Sequence, residues 1–78
     1  MNKKQFIQEL GRYMRPTQLI DTRVRFYEKS PYQARRYKPE FVGWEAWLYG
    51  GKSQIGYLIT KEDWENGDKK LIIDSFLN

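Results

Sequence analysis

The sequence predicts a small α+β domain, with an N-terminal helix packed on an antiparallel sheet of three or four strands. Three observations carry this. Apolar residues near the N-terminus recur at helical spacing, residues 22–28 alternate with period two, and residues 41–60 form two apolar-aromatic runs around a Gly50-Gly51 pair. The order of elements is dominated by local hairpin contacts. At 78 residues the chain is one domain, and no internal repeat or low-complexity segment divides it.

The first element follows Asn2, an effective N-cap. Phe6, Ile7, Leu10, Tyr13 and Met14 then share one face, while Lys3, Lys4, Gln8, Glu9 and Arg12 take much of the rest. Gly11 weakens this helix, and Arg15 is held out of helical geometry by Pro16. The pattern predicts a helix over 3–14 whose apolar stripe is core.

In "TRVRFYE", residues 22–28, Val24 and Phe26 point one way and Arg23, Arg25 and Tyr27 the other, as in a strand with one buried face. "SPYQARRYKPE" follows, residues 30–40. Pro31 and Pro39 exclude a central strand there and predict a loop of roughly ten residues, a length more often functional than short connections are.

Gly50-Gly51 signals a hairpin turn. A two-residue loop pairs Ala46 with Ile55, Trp44 with Tyr57 and Val42 with Ile59, and puts these side chains with Leu48 on one apolar face. Any even register keeps that face together, because side-chain direction has period two. The other face carries Glu45, Trp47, Tyr49 and Leu58, with Gly43 and Gly56 leaving room.

Thr60 and Asp63 resemble a capping box and predict a helical turn through "KEDWEN", ended by Gly67. Beyond it the pattern is ambiguous. Asn66-Gly67 can turn a second hairpin, or Asp68 can cap a last helix grouping Ile72, Ile73, Phe76 and Leu77. Of these, the expectation is a final strand over 70–74.

A chain of this size buries only roughly 60% of its unfolded surface. There is no cysteine to staple the thin core, so its thirteen aromatic residues must fill it. The absence of cysteine fits a reducing, cytoplasmic setting. "MNKKQFIQEL" lacks a signal-peptide apolar run, and no stretch approaches the ~20 apolar residues that span a bilayer, so no membrane partner is expected.

The chain has no histidine and no cysteine, the residues on which most nucleophilic catalysis, transition-metal binding and neutral-pH proton shuttling draw. Glu62, Asp63, Glu65 and Asp68 form the one acidic cluster. They lack calcium-loop spacing, and they suit a helix start better than an acid–base pair. The glycines form no phosphate loop. No enzyme activity, cofactor or metal is expected.

Binding is what remains. The net charge is +4, yet residues 1–39 hold ten Lys/Arg against Glu9, Asp21 and Glu28. This asymmetry points to an acidic partner. Arg23, Arg25 and Tyr27 with Trp47 and Tyr49 would form a basic-aromatic platform if the outward sides of their strands coincide. The loop would add Tyr32, Arg35, Arg36, Tyr37 and Lys38 at its rim. Guanidinium forks suit phosphates, and flat rings suit unstacked bases. The expectation is a non-enzymatic binding protein whose partner is single-stranded nucleic acid or the acidic surface of a protein. Tyr and Arg are also enriched at the energetic centres of protein interfaces. The alternative is therefore a small inhibitor or adaptor docking on a larger protein, such as a virus-encoded antagonist of a host nucleic-acid-handling complex.

Overall fold

The computed structural model describes residues 1–28, 43–50 and 53–78. They form helices α1 (Lys3–Leu10) and α2 (Pro16–Ile20), strands β1 (Arg23–Tyr27), β2 (Glu45–Gly50) and β3 (Ser53–Thr60), then helices α3 (Lys61–Asn66) and α4 (Lys69–Leu77). The strands make one antiparallel sheet in the order β1-β2-β3. The α+β expectation holds, with three strands. No described helix is long and apolar enough to cross a membrane.

α1 begins as its sequence requires. Asn2 Oδ1 accepts from the Gln5 amide and Gln5 Oε1 accepts from the Asn2 amide, both at 2.9 Å. Two donors that the first turn leaves free are thereby satisfied. The helix stops at Leu10, four residues earlier than its apolar stripe predicts, and Gly11 is its C-cap. Helical hydrogen bonding persists only loosely to Met14, whose amide donates to the Leu10 carbonyl at 3.0 Å. Arg15 is extended, with ψ 153°, as a residue before proline should be. α2 was not foreseen. Pro16 opens it, and Gln18 Oε1 accepts from the Arg15 amide at 2.8 Å, a fragment of the same capping logic.

The hairpin keeps the predicted faces but not the predicted register. Ala46 pairs with Ile59 and Leu48 with Tyr57, and the ladder shifts between Leu48 and Gly50 before Gly50 meets Ser53. Gly50, expected in the turn, is thus the last residue of β2. The slip from the expected pairing is even, so Trp44, Ala46, Leu48 and Ile59 still share the buried side. Ile55 is the exception: it is 89% exposed instead of paired with Ala46. Val42 lies outside the described residues.

The final strand over 70–74 is corrected to helix α4. Asp68 accepts from the amides of Lys70 at 3.0 Å and Leu71 at 3.2 Å, and Lys70 pairs with Asp74 one turn on at 2.8 Å. The cap and the apolar grouping decide the conformation: Ile73 and Phe76 are buried and Ile72 packs against the core. α3 forms as expected, with Thr60 Oγ1 accepting from the Asp63 amide at 3.1 Å.

All four helices send their buried or half-buried apolar side chains to one side of the sheet. The centre is aromatic. Phe6 of α1 lies 5.5 Å from Phe26, 5.2 Å from Trp44 and 5.3 Å from Trp64, ring centre to ring centre. Trp64 Nε1 donates to Glu9 Oε1 at 2.9 Å, so its one polar group is partnered where the ring is buried.

Trp44→Ala should cost about 3–5 kcal/mol, the range for a buried aromatic, and Trp47→Ala clearly less. Denaturant midpoints of the two variants test which face of β2 is core. Asp68→Ala should cost ~1 kcal/mol while Asp68→Asn, which keeps an accepting oxygen, costs little. The same titration, followed by far-ultraviolet circular dichroism, checks that the cap starts α4.

Candidate basic-aromatic sheet face

The register of β1 on β2 decides where the predicted residues go. Arg23 lies opposite Tyr49, Arg25 opposite Trp47 and Tyr27 opposite Glu45. Val24 and Phe26, between them, turn into the core. The outward sets of the two strands therefore share one side of the sheet. β3 extends it with Leu58 beside Trp47 and Thr60 beside Glu45. Because the helices pack on the other side, α1 does not cover Trp47 or Tyr49; it covers Trp44.

Arg23 and Arg25 are exposed, and Tyr27, Trp47 and Tyr49 are half-buried. Among the described residues neither arginine forms an ion pair; those present are Lys61 with Glu65 and Lys70 with Asp74. Neither Glu45 nor Glu28 pairs with them. Both guanidiniums instead lean on one ring. Arg23 Cζ is 5.7 Å and Arg25 Cζ 5.8 Å from the centre of Tyr49. At that range the ring's negative face attracts each cation. Arg23, Val24, Arg25 and Tyr49 line a shallow cleft here.

Tyr49 can lie low because of Gly56 on β3. A Cβ there would stand 2.7 Å from Tyr49 Cε1 and 2.9 Å from Cζ, so the ring occupies the space a side chain would fill. Gly56 also has φ +92°, a conformation other residues rarely adopt. Glycine is thus required at this position twice over, once for the backbone and once for the ring. The arrangement links three strands: Gly56 seats the ring, and the ring seats two cations.

The charge on this face is uneven along the strands: Arg23 and Arg25 stand towards one end, and Glu45, opposite Tyr27, at the other. Glu62 and Asp63 belong to a second shallow cleft, lined also by Tyr57, Ile59 and Ile72 on the helix side of β3. Those two acids occupy the first turn of α3, Glu65 faces Lys61 at 4.0 Å, and Asp68 caps α4. Glu62, Asp63 and Asp68 thus stand at helix starts, where an acid interacts favourably with the helix dipole, and Glu65 stands one turn on.

Of the residues expected to bind a partner, Arg23, Arg25, Tyr27, Trp47 and Tyr49 come together. Tyr32, Arg35, Arg36, Tyr37 and Lys38 lie outside the described residues. Glu45 and Thr60 share the face and were not among the expected site residues; strand alternation carries the signal for both. Comparison with known protein families, characterised proteins and solved structures finds no match.

Gly56→Ala should cost about 1–3 kcal/mol, since both the backbone and the Tyr49 ring resist it. Adding Tyr49→Ala should relieve the steric part, so the double variant should be more stable than the sum of the single losses predicts. Denaturant midpoints of the four-member cycle test the seating; strict additivity would show that the ring does not rest on Gly56.

Proposed function

We propose that this protein is a non-enzymatic binding module that engages an anionic partner through the outer face of its sheet. One observation carries the proposal. The β1–β2 register places Arg23, Arg25, Tyr27, Trp47 and Tyr49 on the side of the sheet opposite the helices and the core. Two exposed guanidiniums, without an ion pair among the described residues and held on a ring, are poised for an anion. An arginine presents several N–H donors in a planar fork, and a phosphate or carboxylate accepts two of them side by side.

The composition supports the same reading. Without histidine or cysteine the chain has few groups for nucleophilic or proton-transfer chemistry, and Glu62, Asp63 and Asp68 stand at helix starts. The basic surplus of residues 1–39 adds a long-range attraction that raises encounter rates with a negative partner. A cysteine-free chain suits a reducing compartment, and we place its action in the cytoplasm.

The test separates a site from mere net charge. The full chain is retained on a phosphocellulose column and the eluting salt concentration is read. Arg23→Glu with Arg25→Glu should lower that concentration well below the value for Lys3→Glu with Lys4→Glu, which changes net charge equally on exposed positions of α1. Both pairs should melt near the wild-type temperature, since exposed substitutions normally shift stability by less than about 0.5 kcal/mol. Equal elution of the two variants would mean that no face is special, and the proposal would fall.

A further inference from the structure

We infer that the partner of the outer face is single-stranded nucleic acid, with phosphates on Arg23 and Arg25 and a base stacked on Trp47. This rests on the anion-binding face proposed above and adds the class of partner.

Size argues first. Strands of five, six and eight residues present a described face of about 20 Å by about 15 Å, or roughly 300 Å² in projection. A stable protein interface buries about 800 Å² on each partner, more than the described face offers by itself. That face is large enough for a short run of bases: a four-stranded RNA-binding sheet stacks two or three. The matched partner is one whose recognition unit is the size of a nucleotide.

The division of labour argues second. A single strand needs cations for its backbone and flat rings for its bases, and on this face the two are set side by side. Tyr49 is already engaged in seating both guanidiniums. Trp47, opposite Arg25 on the central strand, is the adjoining indole, half-buried but on the outer side. Tyr27 lies two residues further along β1 on the same side. A backbone following the outer edge of β1 would meet Arg23 and Arg25 in succession, and its bases would turn inward over β2. The charge on the face favours the Arg23–Arg25 end for phosphates, because Glu45 stands opposite Tyr27 at the other end and repels them there. Duplex nucleic acid keeps its bases stacked inside and cannot use Trp47 in this way.

The experiment uses the full chain and a labelled oligothymidylate of about ten nucleotides, followed by fluorescence anisotropy over a range of salt. We expect binding that is clearly weaker for a duplex of the same length. Trp47→Ala should lower affinity roughly 5- to 150-fold, the equivalent of losing one stacked base, and Trp47→Phe should keep most of it. Arg23→Ala with Arg25→Ala should reduce the slope of log affinity against log salt by about 1.4, the value for two single-strand phosphates. Melting of each variant confirms folding, and the phenylalanine and arginine variants remain decisive if Trp47→Ala does not fold. Equal affinity for duplex, or a folded Trp47→Ala variant that binds undiminished, overturns the inference. A parallel titration with labelled polyglutamate separates the two levels. Arginine-dependent binding of polyglutamate without binding of oligothymidylate overturns the nucleic-acid assignment and leaves the anionic face standing. Binding of neither overturns both.

Discussion

Everything in this fold turns on where the Phe6 ring goes. α1 has eight residues, too few to be stable in water alone, so packing must hold it. That packing is concentrated on one side chain, which is fully buried and meets rings from β1, from Trp44 just before β2, and from α3. Each aromatic pair adds roughly 0.5–1.5 kcal/mol beyond the area it buries. Once Phe6 sits against Phe26 and Trp44, those two residues define the inner side of the sheet. The period-two geometry of strands then sends Arg25, Tyr27, Glu45 and Trp47 outward without further instruction.

The second half of the chain closes the same core from the same side. Trp64 brings α3 onto Phe6 and reaches Glu9 with its indole nitrogen, so α3 is fastened to α1 by a ring contact and a hydrogen bond. Phe76 of α4 packs on Tyr57 of β3, 5.9 Å between ring centres. With every described helix committed to one face, the described residues make two layers, and the other face of the sheet has no described helix over it. A thin core that draws on every described helix and a sheet face left without one are one constraint of a short chain seen from two sides.

This constraint also explains what could be read from the sequence. The assignment of faces was legible because it depends only on alternation, which survives any even change of register. The register itself was not legible. A shift between Leu48 and Gly50 moves the pairing, and nothing in the alternation of β2 or β3 marks where a ladder will slip. For α4 the cap at Asp68 and the spacing of Ile73 and Phe76 were both visible, but the pair Ile72-Ile73 reads equally well as strand. Contact of Phe76 with Tyr57 across the core belongs to tertiary structure, which a local pattern does not contain. α2 was missed because five residues are too few to show a period; its signals were Pro16 and the Gln18 side chain reaching back to Arg15. On the outer face, five of the expected residues were identified by alternation alone. Their mutual geometry needed the β1–β2 pairing.

The least legible part of the face is what ties its cations in place, and it begins with an absent side chain. Gly56 leaves a gap on β3; Tyr49 lies into it; Arg23 and Arg25 lean on Tyr49. Holding a long side chain on binding costs about 0.5–1.5 kcal/mol of lost rotamer freedom. Guanidiniums already resting on a ring have surrendered part of that freedom during folding, so less remains to be lost when an anion arrives. A lysine in either place would carry the charge but not the planar fork, nor the same stacking on the ring. The two arginines are thus set as a pair before any partner is met. What sets them is a glycine on a strand they do not touch in the ladder, held at its own position by a core on the far side of the sheet.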